Sequence, residues 1–215
     1  MAATTAPERL TALDAYRGFV MLLMLNEALR LPQVAQAFPD STLWHWIAFH
    51  TEHVEWRGVS LHDLIQPGFS FLVGAALPFS LANRGASGQS RTALWIHAAY
   101  RAVALILLGV LLRSLFRGYI NWTFDDTLTQ IGFGYLPLFA LGLRSVRTQW
   151  IALAVILIGY WAAFALYPVA PPHPGSHAYF TGFEAHWNKN TNLAWAFDTW
   201  WMNLFPRPKP FLYSG

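Results

Sequence analysis

The sequence predicts an all-α fold, a multi-pass transmembrane helical bundle with about five spans. Composition is the first reason: 55% of the 215 residues are hydrophobic and 12% are charged, and the mean hydropathy is +0.32, a balance foreign to soluble globular domains. The second is the recurrence of apolar runs close to the ~20 residues that cross a bilayer. These runs are continuous rather than alternating, so each satisfies its backbone as a helix and not as a barrel strand.

The spans are expected at about 15–31, 64–82, 94–112, 128–143 and 149–167. The first is interrupted near its start by Asp14 and Arg17 and has no small-residue cleavage site after it, so it reads as a permanent span and not as a cleaved signal. In the second, Pro67, Gly68 and Pro78 predict an interrupted helix, tolerated where freed carbonyls are buried in protein or line a cavity. The third and fifth are long and uniformly apolar, and the fourth is short. The segment PVAPPHPGSHAYF reads as a loop from its proline and glycine content, and 168–215 as a loop or tail that closes on PRPKPFLYSG without a helix. The whole chain is expected to form one domain, 1–215, incomplete at its C-terminus.

No cysteine is present, which excludes disulfide and thiolate chemistry. The net charge of +3 does not point to nucleic acid, because the cations are scattered over the ends of connections and form no stripe. Arg9, Arg17, Arg84, Arg91, Arg144 and Arg147 fall on one set of connections, and Asp40, Glu52, Glu55, Asp125 and Asp126 on the other. The positive-inside rule then predicts a cytoplasmic N-terminus, with Arg57, Arg113 and Arg117 against the trend. The outward connections are rich in tryptophan (Trp44, Trp46, Trp56, Trp122 and, in the tail, Trp187, Trp195, Trp200 and Trp201), as an interfacial belt requires, while a minority of these rings could stack on sugars.

Three groups of residues could carry chemistry. Asp14 and Arg17 share a helical face, with Asn26 further along the same span. Such polar groups are costly in a span and face the protein interior, where they anchor and bridge helices or serve a site. His53, His62 and Asp63 stand just before the second span, where an imidazole could act as a general base. His45, His50, His53, His62 and Asp63 could in principle ligate zinc, but their spacing matches no HxxxH or HExxH pattern, and no metal is expected. His97 and Arg101 lie four residues apart in the third span, placing Arg101 about 10 Å from the cytoplasmic end. It snorkels or pairs with an acid there, or receives an anionic ligand from the cytoplasm.

RLTALDAYRGFVMLLMLNEAL resembles the R-L-x-S-x-D-x-x-R-G opening, leading to an asparagine, of the heparan-α-glucosaminide N-acetyltransferase-like transmembrane acyltransferases. HVEWRGVSLHDLIQPGFSFLVGAAL is similar to that family's H-x-x-W-x-G-x-x-x-x-D-L-x-x-P-x-F-x-F-x-x-G segment, with His53, Trp56, Gly58, Asp63, Leu64, Pro67, Phe69, Phe71 and Gly74 in register. YRAVALILLGVLL resembles the family's third-span arginine and the run after it. Together these cover roughly residues 9–143, and the chain resembles an N-terminal half, since family members carry about twice as many spans.

The resemblance implies transfer of an acetyl group from cytoplasmic acetyl-CoA to the amine of a glucosamine-type sugar or cell-envelope glycan on the outer side. The family's catalytic histidine falls on His53 and its partner asparagine on Asn26, with Asp14, Arg17, Trp56, Asp63, Arg101 and Gln130 as supporting or substrate-binding residues. Whether acetyl rests on the histidine or passes directly to the amine stays open, with direct transfer favoured. Two departures stand out: LTQIG puts Gln130 where the family has an arginine, and the interval from Asn26 to His53 is longer than in the lysosomal enzyme. The implied setting is a lipid bilayer, in a bacterial inner membrane, with a homo-oligomer compatible. The competing reading is a transporter or scaffold that keeps the fold without acetyl transfer.

Overall fold

A computed structural model describes residues 11–171, 173, 174, 176 and 178–212, and of Glu27 the backbone. Arg9, parts of PVAPPHPGSHAYF and the last three residues lie outside the described residues. Among the described residues eight α-helices follow in order: α1 Thr11–Leu29, α2 Leu31–Gln36, α3 Thr42–Thr51, α4 Ile65–Ala86, α5 Arg91–Ser114, α6 Thr127–Gly142, α7 Val146–Leu166 and α8 Leu193–Met202. Short 3₁₀ turns occupy His62–Leu64 and Gly182–Trp187, and the described residues contain no β-strand. The all-α membrane bundle is therefore the observed class, and every expected span is a helix.

The number of spans is lower than expected. Among the described residues three helices combine the length and apolarity needed to cross a membrane: His62–Ala86 (25 residues, with the 3₁₀ turn), Arg91–Ser114 (24) and Val146–Leu166 (21). Helix α1 is long enough at 19 residues but carries Asp14, Arg17 and Asn26, each expensive in hydrocarbon. Helix α6 has 16 residues, about 24 Å of rise against a ~30 Å core.

Two further expectations change. Helix α4 runs unbroken from Ile65 to Ala86, because Pro67 sits in the first turn, where no intrahelical N–H is needed, and Pro78 is accommodated inside it. The tail is not all loop, since it contains α8, capped by Asn192, whose side chain accepts from Trp195 N–H at 2.9 Å.

The chain divides into two compact units, Met1–Ala98 and Ala99–Gly215. In the first, α1 packs on α4 through Val20, which is almost completely buried, and Tyr16 meets Phe71 edge-on at 6.0 Å. Arg30, in the left-handed region at φ 49°, separates α1 from α2. Helices α2 and α3 pair with each other, and Ser41 caps α3 by accepting from Trp44 N–H at 3.4 Å. In the second unit the start of α6 is fixed by Asp126, which accepts from Thr129 N–H at 3.0 Å and from the Thr129 hydroxyl at 2.9 Å. Gly132 lets α6 approach α5 closely: a Cβ there would stand 2.7 Å from Ile106 Cγ1 and 2.9 Å from the Ala102 carbonyl oxygen. Helix α7 exposes Ile151, Val155, Ile158 and other apolar side chains around its circumference, as a lipid-facing span does.

Candidate functional site

The segment between α3 and α4 turns back on itself before entering the membrane helix. Gly58 has φ +99°, a conformation that other residues rarely adopt. Ser60 and Asp63 then form a reciprocal cap: Asp63 N–H lies 3.3 Å from Ser60 Oγ, and Ser60 N–H donates to Asp63 Oδ2 at 2.8 Å. Ser60 is 2% exposed. Its hydroxyl lies 2.7 Å from the Glu52 carbonyl and 3.0 Å from Asp63 Oδ2, with one proton to donate between them.

This scaffold aims the other carboxylate oxygen at His53. His53 Nδ1 is 2.7 Å from Asp63 Oδ1, and the backbone N–H of Val54 approaches Asp63 Oδ2 at 3.5 Å. The histidine side chain is 71% exposed and the aspartate side chain 22%. With the carboxylate ionised, Nδ1 carries the donated proton and Nε2 is left as the acceptor, facing solvent. The buried ring of His62 lies edge-on against His53 at 4.4 Å and limits how the imidazole can turn. A hydrogen-bonded His–Asp pair with an open second nitrogen can accept a proton from a bound nucleophile.

The other sequence-predicted residues are distributed as follows. Trp56 lies in the same connection, part exposed. Asp14 and Arg17 pair with each other at 3.2 Å one turn apart on α1. Asn26, half-buried on α1, has a carboxamide that makes no hydrogen bond among the described residues, to His53 or otherwise. His97 accepts from Arg84 at 2.8 Å. Arg101 and Gln130 belong to the second unit, where the Arg101 guanidinium lies 4.9 Å from the centre of the Tyr135 ring, a cation–π contact. Among the described residues no three His, Asp or Glu side chains converge as metal ligands would.

Gln130 donates to the Asp125 carbonyl at 3.4 Å and lines a cavity of about 540 Å³ in that second unit, together with Asp125, Phe133, Asp198 and Trp201. Burial by the surrounding protein raises the Asp198 carboxyl above the usual carboxylate range, and the Asp125 carboxylate raises it further. Sequence reasoning did not single out Ser60 or Asp198. Ser60 was accessible through the S-x-x-D signature of a capping box, whereas Asp198, in AFDTWWM, carries no such signal.

Comparison with known proteins returns no matching family model. The chain is 24% identical over 194 residues to heparan-alpha-glucosaminide N-acetyltransferase of Homo sapiens, covering 78% of this chain and 27% of that protein. It is 25% identical over 108 residues to the enzyme of the same name from Mus musculus, covering 50% of this chain and 14% of that protein. The chain thus spans about a quarter, or less, of the length of these curated relatives. This similarity supports a distant relationship to the heparan-alpha-glucosaminide N-acetyltransferases.

Proposed function

We propose that the chain forms part of a multi-pass acetyltransferase domain that moves an acetyl group from cytoplasmic acetyl-CoA to the amine of a glucosamine-type sugar or envelope glycan across the membrane. The observation that carries this reading is the 2.7 Å contact between His53 Nδ1 and Asp63, with the imidazole otherwise open. The acceptor amine attacks the thioester carbonyl carbon, a C–N bond forms, and the tetrahedral intermediate expels the CoA thiolate. The proton lost by the amine goes to His53 Nε2, and Asp63 stabilises the resulting imidazolium. The thiolate leaves as CoA-SH once that proton is returned to it. The products are an N-acetyl sugar and CoA, and no net proton remains on the enzyme.

Asn26 is proposed as the donor to the oxyanion of that intermediate, its carboxamide being uncommitted within the described residues. Trp56, in the His53 connection, would border the acceptor, and Asp14 with Arg17 would hold the inner end of α1. Arg101 and Gln130 are proposed as contacts for the donor, with Gln130 supplying a neutral hydrogen bond where a cation would otherwise stand. The N-terminus is taken as cytoplasmic, and the membrane as a bacterial inner membrane.

Transfer of labelled acetyl from acetyl-CoA to glucosamine by the full-length protein in liposomes tests this. Product that His53→Ala abolishes in a folded protein supports the reading. Absence of both transfer and acetyl-CoA binding sinks it, and favours a carrier or scaffold.

A further inference from the structure

Helix α5 has the length and apolarity of a membrane span and ends at Ser114. Near that end Gly109 lets the start of α6 come close, since a Cβ there would stand 2.5 Å from Thr129 Cγ2 and 2.6 Å from Asp126 Oδ1. The cavity lined by Thr123, Phe124 and Asp125 therefore stands at the level where a span leaves the bilayer. The side chains around this level are apolar and face outward. In the α5–α6 connection Phe116 is 99% exposed and Ile120 is exposed as well, as are Phe197 and Trp200 on α8 and Leu204 just beyond it. With 10 residues, α8 is too short to cross a ~30 Å core, and its tryptophans belong at headgroup depth. The two segments are tied together: Trp122 stacks on Phe205 at 5.7 Å, and Arg207 donates to the Trp122 carbonyl at 3.0 Å.

The cavity measures about 540 Å³, within the ~300–1,000 Å³ range of small-ligand pockets. Its charged lining residues are both acids, Asp125 and Asp198. Asp198 has no hydrogen-bond or ion-pair partner among the described residues, and the neighbouring charge that acts on it is the like charge of Asp125. Trp201 lies parallel to Phe197 at 6.2 Å and edge-on to Phe133 at 6.3 Å, so aromatic rings share the lining with the carboxylates. Outside the lining Arg113 pairs with Asp125 at 3.4 Å, with its side chain 45% exposed. Acids and aromatic rings together exclude an anion and attract an organic cation. A bare metal ion lacks a ligand set, because no three His, Asp or Glu side chains converge among the described residues. The exposed Arg113 beside an acidic cavity adds a second pole of opposite sign. A headgroup that carries an ammonium and a phosphate answers both poles, and its acyl chains find the apolar side chains at the same level.

We propose that this cavity is a lipid site that takes the ammonium group of a zwitterionic phospholipid headgroup, with Asp198 as counter-ion, the Trp201 ring beside the ammonium and Arg113 receiving the phosphate. The occupant is a lipid of the surrounding bilayer, and the inference is independent of the acetyltransferase reading.

The full-length protein in detergent is incubated, without acetyl-CoA, with equal amounts of phosphatidylethanolamine and phosphatidylglycerol bearing the same acyl chains, and the retained lipids are counted by native mass spectrometry. Phosphatidylethanolamine is expected to be retained about tenfold over phosphatidylglycerol, the worth of one charge-assisted hydrogen bond. Asp198→Asn, which keeps the side-chain shape, is expected to bring that ratio close to one, and Trp201→Phe to lower it by less. Arg113→Gln is expected to lower retention of both lipids alike, since both carry the phosphate. Each variant is compared at an unchanged thermal unfolding curve.

A ratio near one in the wild-type protein overturns the proposal, and this outcome needs no variant to fold. The wild-type ratio in Asp198→Asn overturns the site. Displacement of phosphatidylethanolamine by an equal concentration of free ethanolamine overturns the lipid assignment and makes the occupant a soluble amine. A headgroup preference in a protein without acetyl transfer sinks the enzyme reading alone, and transfer without the preference sinks the lipid site alone.

Discussion

Asp63 and Asp198 are both carboxylates at the edge of apolar structure, and they differ in what surrounds them. Asp63 is saturated: it takes the Ser60 backbone N–H, a weaker approach from Val54 and the ring of His53. Asp198 has no partner among the described residues and is pushed toward protonation by burial and by Asp125. A saturated carboxylate acts on its neighbour, fixing the tautomer and direction of an imidazole. An unsaturated one acts on whatever enters. The comparison separates a candidate reacting centre from a candidate binding cavity, and each half can be broken on its own.

The largest effect is expected at His53. His53→Ala should lower acetyl transfer by about 10²–10⁴-fold, the usual worth of a positioned general base, while leaving the elution profile and thermal unfolding of the protein unchanged. Asn26→Ala should follow, with about 10²–10³-fold lost from kcat if its carboxamide meets the oxyanion. A loss confined to KM would assign Asn26 to substrate binding instead.

Smaller effects concern the framework. Gly132→Ala should destabilise the second unit by about 1–3 kcal/mol, because the added Cβ meets the Ala102 carbonyl, which cannot move cheaply. Urea or thermal unfolding would register it, and the His53–Asp63 pair should be indifferent to it. Ser60→Ala should cost about 1 kcal/mol as a lost cap and, by loosening Asp63, reduce turnover modestly. Unaltered turnover would mean that the two backbone N–H groups suffice to hold the carboxylate.

Much of the first site was legible because it is nearly contiguous. The proposed base His53 and its carboxylate partner Asp63 stand ten residues apart in one short stretch, whereas the Ser60 cap between them was not singled out. The membrane helices were legible for a similar local reason, a run of apolar residues. What escaped was short or distant. Helices α2, α3 and α8 have 6, 10 and 10 residues, too few to give a span-length run, and their caps at Ser41 and Asn192 were the available signal. The expected break in α4 is absent: Pro67 stands in the first turn, where it costs no hydrogen bond, and Pro78 lies inside the helix without ending it. The aromatic cavity was illegible because it joins Thr123–Phe133 to Phe197–Phe211, a pairing that exists only once the chain is folded.

The central claim is that Asp63 works through His53. The most direct measurement is the steady-state rate of acetyl transfer by Asp63→Asn beside wild type, in full-length protein, with acetyl-CoA and glucosamine varied in turn. An asparagine can still accept from Ser60 N–H but cannot stabilise an imidazolium as a carboxylate does, so kcat should fall about 10²–10⁴-fold with both KM values little changed. A kcat within twofold of wild type, in a protein that unfolds at the wild-type temperature, would contradict the account and reduce the pair to a cap on a membrane helix.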